Sequence, residues 1–600
     1  MIRLSDYVVK VVKQYTDIVF MVTGGGAMHL NDAFGRSNMK IVFCHHEQAC
    51  SIASESYSRI SNKLSIVNVT TGPGGINALN GVFGAWTDSI PMLIISGQVK
   101  RETLVSTYGS EGGWRQLGDQ EVDIISMVKG ITKYSILLTD PKKIKYHLQK
   151  AIFLAMDGRK GPCWIDIPID LQAMQIDEDD LIDFDVNEIT VDSISSISLH
   201  NDLESLYTLI NNSKRPVFYI GSGIHSAGIK EKFMEIAELT GIPVVTAWNS
   251  NDLIEDNHPL YVGRPGTIGN RSGNFVVQSA DLLIVLGSRL NIRLVSYNWA
   301  SFAKNAIKVG VDVDIKELNK PTCKYDYKFN YNLNKFLPAL LELFKAKKSF
   351  PNFSTWVSWG KQRLLKYPVC LSEYWLKDEL VNPYCFINEL SKYTLEGDNI
   401  VCADGTACVT TFQGIIIKKN QRVFHNSGCA SMGYELPATI GAFLANPQQK
   451  RVICIAGDGS IMMNLQELQT ISGLGIPAQI FILNNNGYHS IRQTQHSFFK
   501  DNIVGCGIES GLTFPNFKKI AQAFEFEYFS IMNHFELKNK LSHIMDTNNK
   551  FICEIMIDLT QQFSPKVTSK KLADGSMVTS NLEDMWPFLS KEELEENILK

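Results

Sequence analysis

The sequence predicts an α/β protein built from three consecutive doubly wound parallel-sheet domains and a C-terminal tail. Short β-branched apolar runs at residues 66–70, 216–220, 282–286 and 451–456 each lead into a glycine-rich turn (TGPGG, GSG, GSR, GDGS) and then a helical pattern. Continuous apolar strands alternating with helices are what a parallel sheet covered on both faces requires. Six hundred residues also exceed what one hydrophobic core holds.

The first block covers residues 1–175. Its opening, MIRLSDYVVKVVKQYTDIVF, carries Asp6, Lys10, Lys13 and Asp17 inside the apolar pattern, so it reads as an amphipathic helix and not a signal peptide. The block closes on the strand CWIDIPID. The acidic stretch QIDEDDLIDFDVNEITVDSISS has neither a helical nor a strand period and reads as a linker. A central block spans 190–345, and KAKKSFPNFSTWVSWGKQRLLKYPVC bridges to a third block at 370–560. Residues 561–600 are polar with a few large apolar anchors. They form a tail that either closes over something as a lid or stays solvated.

Composition narrows the partners. Fifty-eight basic against 62 acidic residues leave a formal charge of −4, which gives no positive field for nucleic acid. No run approaches the roughly 18 apolar residues that span a bilayer, so no membrane partner is expected. Twelve cysteines stand without a CxxC pair, as in a reducing cytoplasmic protein.

The strongest chemical signal is RVICIAGDGSIMMNLQELQTISGLGIPAQIFILNNNGYHS, a strand, a glycine turn, a helix, a second strand and an Asn cluster. Gly457 and Gly459 let the backbone approach a phosphate, and a helix N-terminus after them favours negative charge. Asp458 stands where a hard cation bridges that phosphate. Asn485 lies 27 residues on, a separation that fits one crossover helix, so both side chains emerge at one sheet edge. A carboxylate, an amide oxygen and a backbone carbonyl at Gly487 suit Mg2+ better than zinc. GDG alone is equally a plain turn with a capping Asp.

GDGS followed by NN after one crossover resembles the diphosphate- and magnesium-binding signature of thiamine-diphosphate enzymes. The likeness extends along nearly the whole chain to their acetolactate synthase and pyruvate oxidase group. HHEQACSIASESYSR, TGPGGINALNGVFGAWTDSIPMLIISGQV, QEVDI, GPCWIDIPID, RPVFYIGSG and SMGYELPATIGA follow that group's landmarks in order. The resemblance implies the thiamine-diphosphate-binding fold, with thiamine diphosphate and Mg2+ as cofactors. It implies that Glu47 is the acid that shares a proton with the cofactor's pyrimidine ring; alone, a first-turn Glu also favours the helix dipole. It makes Met432 the bulky residue that bends the cofactor, where a lone Met is otherwise core filler. The carbonyl of Ala430 then receives the 4′-amino group. Gly405, Thr406 and Ala407 match the second diphosphate loop, with Thr406-Ala407 in place of the usual Gln-His. Ser460 and Tyr488 complete the cofactor contacts. The resemblance also implies shared active sites in a homodimer or homotetramer.

The acceptor side departs from the group. Asp119 stands before Gln120 and Glu121 where the synthases carry Phe, and Gln120 is carried over as catalytic. Their Met-Val-Arg-Gln-Trp run is here Ser490, Ile491, Arg492, Gln493 and Thr494, which opens volume and adds hydroxyl groups. His489 sits where a Gly is common, as a donor to substrate or as a solvated loop histidine. The tail GSMVTSNLEDMWPFLSKEE resembles synthase-like proteins of bacterial surface-polysaccharide synthesis. In the central block GSRLNIRLV keeps Arg289 and Arg293 of a flavin-binding stretch but loses its Asp residues, leaving FAD, another nucleotide or an empty site open. The expected function is a carboligase, formally a transferase or lyase. It decarboxylates a small 2-oxo acid such as pyruvate and passes the acyl unit to a carbonyl acceptor, for which a sugar-derived carbonyl is one candidate. The alternatives are a non-ligating decarboxylase and a catalytically silent cofactor-binding regulatory subunit.

Overall fold

The computed structural model describes residues 1–109, 113–189, 196–377, 379–499, 502–571 and 574–599. Three six-stranded sheets, parallel throughout, account for the architecture. Ile18–Met21 (β1), Lys40–Phe43 (β2), Ser65–Val69 (β3), Met92–Gln98 (β4), Tyr134–Leu137 (β5) and Pro162–Pro168 (β6) form the first, in spatial order β2-β1-β3-β4-β6-β5. Pro216–Ile220 (β7), Val244–Thr246 (β8), Tyr261–Gly263 (β9), Leu282–Leu286 (β10), Ile307–Asp312 (β11) and Tyr327–Asn330 (β12) form the central sheet, ordered β9-β8-β7-β10-β11-β12. Asn399–Cys402 (β13), Arg422–Phe424 (β14), Val452–Gly457 (β15), Ala478–Asn484 (β16), Glu527–Ile531 (β17) and Phe551–Met556 (β18) form the third, ordered β14-β13-β15-β16-β18-β17. The first and third sheets share one topology and the central one differs. In all three the order reverses beside the first strand of the domain, and in the outer two it turns again at β6 and at β18; the loops leaving the strand ends on either side of the first reversal diverge to open a crevice.

Central strands such as Met92–Gln98 and Leu282–Leu286 are buried along their whole length, which explains the apolar run of residues 92–95 and the wholly apolar Leu282–Leu286. One cluster of buried apolar side chains runs through both outer domains, from Phe20 and Val67 to Ile480 and Ile552. It is sealed where helix Glu47–Ser61 (α1), ahead of Pro73–Asp88 (α2), packs on Glu435–Ala445 (α3). The contact is close because Gly441 has no side chain: a Cβ there would lie 2.0 Å from the Ala53 carbonyl oxygen. The Ser56 hydroxyl donates to the Ala438 carbonyl at 2.6 Å across the same seam.

The region read as a bridge contains the helix Ser354–Lys366, which belongs to the central domain; its Trp356 indole donates to the Pro216 carbonyl at 3.0 Å. In the stretch read as a linker, residues 178–180 and 186–188 are single 3-10 turns, and residues 190–195 lie outside the described residues. The tail lies across the wholly buried helix Arg271–Ser279. The Asn274 amide donates to the Leu582 carbonyl at 2.8 Å, Gln278 to Glu583 at 2.7 Å, and the Leu599 N–H to the Ser279 hydroxyl at 3.0 Å. Among the described residues no helix is long and apolar enough to cross a membrane.

Gly441→Val forces a branched side chain into the α1–α3 seam. It is expected to destabilise by about 1–3 kcal/mol, read as a lower melting midpoint in calorimetry.

Candidate active site

The third sheet reverses between β13 and β15, and the loops after β13, β15 and β16 converge there. Gly457 ends β15 and pairs in register with Leu483 of β16, so Asp458 and Asn485 leave the same edge one strand apart. The buried Asp458 carboxylate accepts the Gly459 N–H at 2.8 Å and the Gly487 N–H at 2.9 Å. Burial pushes this carboxyl up to about 7, a cost that a bound divalent cation offsets. The side-chain oxygen of Asn485 is buried and has no hydrogen-bond partner among the described residues. An orphaned amide oxygen beside a buried carboxylate fits an oxygen-seeking cation such as Mg2+.

Glycines keep the backbone open here. A Cβ on Gly459 would meet the Tyr488 ring at 2.2 Å, and one on Gly487 the Cys506 carbonyl at 1.6 Å. Gly405, with φ +78°, turns the chain into Thr406 and Ala407 at the start of the helix Thr406–Gly414, and a Cβ on it would lie 3.7 Å from the Ser490 hydroxyl. The helix anticipated directly after Gly459 is instead a 3-10 turn, Ile461–Asn464, and α-helix resumes at Glu467. The cause is tertiary: Ser460 and Asn464 are both engaged with Gly433, next to Met432. The Ser460 hydroxyl points inward to the Glu435 carboxylate, which it reaches at 2.8 Å.

Ala430 and Met432 lie in the loop between β14 and α3, Ala430 with φ +59° and exposed, Met432 half-buried. Glu47 and Gln120 stand at the edge of the first sheet. Glu47 opens α1, its carboxylate accepting from the Asn77 amide at 3.1 Å, and it is half-buried. The exposed Gln120 has its carbonyl 2.3 Å from where a Cβ on Gly72 would stand. The structure thus gathers the predicted residues into two groups, a diphosphate–metal group with Met432 on the third domain and Glu47 with Gln120 on the first. His489, the first residue of the helix His489–Phe499 (α4), is buried, its Nε2 within 3.0 Å of the Gln561 carbonyl oxygen and 2.7 Å of the Gln493 amide. Its Nδ1 is buried without a partner among the described residues, which leaves that nitrogen for a role toward substrate.

Sequence reasoning missed three functional contributors. Asn77 fixes the Glu47 carboxylate from α2. The Arg492 guanidinium donates to the carbonyls of Asn485, Asn486 and Cys506 at 3.1, 2.9 and 3.2 Å and so holds the cation loop. Glu435 is a fully buried acid, visible beforehand only as a charge inside the apolar run SMGYELPATIGA.

The central sheet reverses between β7 and β10, and a cavity of about 370 Å³ opens there. Gly221, Gly223, Gly287, Ser288, Arg289 and Asp312 are among its lining. Gly221 and Gly287 approach so closely that a Cβ on Gly221 would lie 2.3 Å from the Gly287 carbonyl oxygen. The Ser288 hydroxyl is buried without a partner among the described residues, and Asp312, at the end of β11, is pushed up to about 6 by burial. Glycine-lined backbone, an orphaned hydroxyl and an acid at a strand end fit the phosphates and ribose of a nucleotide.

A buried carboxylate, an orphaned amide oxygen and open backbone at a sheet reversal are the features an α/β protein offers to a phosphorylated ligand. Residues 2–127, 203–340 and 404–555 match, respectively, the N-terminal TPP binding, central, and C-terminal TPP binding domains of thiamine pyrophosphate enzymes. The acetolactate synthase large subunit of Lactococcus lactis subsp. lactis (strain IL1403) is 30% identical over 570 residues, 94% of each chain. Chloroplastic acetolactate synthase 1 of Zea mays is 30% identical over 568 residues, covering 92% of this chain and 84% of that one. The isozyme 2 large subunit of Escherichia coli (strain K12) is 28% identical over 558 residues, 92% of this chain and 95% of that one. The chain belongs to the thiamine-pyrophosphate-dependent enzymes of the acetolactate synthase-like group.

Asn485→Ala deletes the orphaned oxygen and is expected to weaken Mg2+-dependent thiamine diphosphate binding by roughly tenfold or more. Isothermal calorimetry at fixed cofactor and varied Mg2+ checks it.

Proposed function

We propose that the protein is a thiamine-diphosphate- and Mg2+-dependent carboligase that decarboxylates a small 2-oxo acid, pyruvate first among them, and transfers the acyl unit to a carbonyl acceptor. The observation that carries this is the buried Asp458 carboxylate beside the unpartnered Asn485 oxygen, in a chain about 30% identical to acetolactate synthases along nearly its full length. The bound cofactor supplies an electron sink for the carbon–carbon bond that breaks. Asp458, Asn485 and the Gly487 carbonyl hold the cation that anchors the diphosphate. Glu47 holds a proton at its carboxyl for exchange with the pyrimidine ring nitrogen, steadied by Asn77. Met432 would position the bound ligand, and the carbonyl of the exposed Ala430 would accept from its amino group.

The acceptor is read as polar and sugar-derived. Where the synthases of this group carry Met and Trp stand Ser490, half-buried with its hydroxyl near Gly405, and Thr494, exposed one turn along α4 with its hydroxyl donating to the Ser490 carbonyl at 3.0 Å, so volume opens and Ser490 offers the hydroxyl. Such a pocket selects a hydrogen-bonding ligand. The protein is read as a cytoplasmic homodimer, or a tetramer of dimers, with shared sites, and two features support the assembly. Glu47 bonds within its own domain, and α2 exposes Ile76, Phe83 and Trp86 at 40%, 40% and 38%. The central cavity is read as a site for FAD or another nucleotide; an absorption spectrum of the denatured protein identifies a flavin.

Incubation with pyruvate and a panel of keto-sugars, nucleotide-linked sugars and 2-oxo acids, followed by mass spectrometry, is expected to show an adduct two carbons heavier than one acceptor. Acetaldehyde as sole product with every acceptor rejects the carboligase. Glu47→Gln is expected to bind cofactor while losing roughly 10²–10⁴-fold in pyruvate turnover, followed as carbon dioxide release.

A further inference from the structure

We propose that Glu435 is a positioning residue that, through the Ser460 hydroxyl, sets the distance between the ring wedge Met432 and the cation turn at Asp458. The inference rests on the cofactor site proposed above and deepens it. Gly433, the residue after Met432, is gripped on both sides by the segment that continues from Asp458. Its N–H donates to the Ser460 Oγ at 2.9 Å, and its carbonyl accepts from the Asn464 amide at 2.8 Å. Gly433 has φ +81°, and a Cβ on it would lie 2.8 Å from the Met463 Cβ, so the turn admits no side chain. The Ser460 Oγ–H donates to Glu435 Oε2 at 2.8 Å. A hydroxyl has one proton, and with that proton directed to Glu435 its lone pairs are left to face Gly433. Remove the acceptor and the hydroxyl rotates freely, so the Gly433 N–H loses its fixed partner.

The stability of Glu435 itself points the same way. Its side chain is completely buried, and Oε1 has no hydrogen-bond partner among the described residues. Burial pushes the carboxyl up to about 7. A buried acid with an orphaned oxygen is a liability to the fold, and an apolar residue of similar shape at that place is neutral or stabilising. Glu435 is therefore retained for what it orients. The loop that carries Met432 and the turn that carries Asp458 are tied by three short hydrogen bonds rather than by the long way round the sheet.

The test uses the full-length protein with Mg2+. Calorimetric titration with thiamine diphosphate and pyruvate decarboxylation are measured for Glu435→Met, Ser460→Ala, the double variant and Glu435→Gln. Glu435→Met is expected to melt at or above the wild-type temperature, yet to lower kcat roughly tenfold to a hundredfold with the pyruvate KM within about twofold. The double variant is expected to be no worse than the worse single variant, because both remove one relay. Glu435→Gln, whose amide oxygen still accepts from Ser460, is expected to restore most of the loss. Wild-type kcat and cofactor affinity in Glu435→Met, or losses that multiply in the double variant, overturn the proposal. A wild type that binds cofactor but decarboxylates no 2-oxo acid defeats the proposed reaction alone. In that case the same pattern of coupling and rescue, or its absence, is read from the calorimetric affinities.

Discussion

Everything at this site depends on a geometric constraint of parallel sheets. Strands buried on both faces offer no polar opening along their length, and their helices cover them except where neighbouring connections leave in opposite directions. Each sheet here reverses beside the first strand of its domain, and each such reversal gathers a distinct set of side chains. The third gathers Asp458, Asn485 and the glycines around them, and the central one gathers Gly221, Gly287 and Asp312. At the first, the edge carries an acid and a tight loop at Gly72. The glycines matter at these places because two backbones approach within contact distance, as Gly487 does to Cys506 and Gly441 to Ala53.

The three domains are joined by more than apolar burial. Arg59 of α1 donates through Nε to Glu55 at 2.8 Å and also reaches Asp88 at the end of α2, at 2.6 Å. Asp88 accepts from Asn249 of the central domain at 3.0 Å, and Glu55 accepts from Tyr434 of the third at 2.8 Å. Nearby, the buried Asp252 takes His225, the Arg422 guanidinium and the Val423 N–H, and these partners hold its carboxyl well below the usual carboxylate range. Buried ionic groups satisfied on every side add little net stability, but they fix one relative placement of the elements that carry them. The outer domains are thereby registered against each other at the helix that begins with Glu47.

Much of this was legible in the sequence, for identifiable reasons. The strands announced themselves as short β-branched runs ended by glycine, and Asp458 and Asn485 were separated by one crossover, a spacing that leaves little choice of edge. What stayed hidden depends on partners far away in the chain. Nothing local distinguishes the central strand order from the outer two. The 3-10 turn after Gly459 arises from hydrogen bonds to Gly433, and the burial of His489 from a carbonyl 72 residues on. Ser354–Lys366, read as part of a bridge, carries a helical pattern, but its allegiance to the central sheet is set by Trp356 and Gly360 against β7 and β9.

The strap of residues 582–599 over the helix Arg271–Ser279 bears on the order of biosynthesis. A ribosome delivers the outer face of that helix some three hundred residues before the segment that covers it. Until then the middle of the protein carries a bare flank through the emergence of an entire further domain, and holding factors that shield such flanks have their longest window there. That flank closes only once residues 582–599 are laid down on a part built long before.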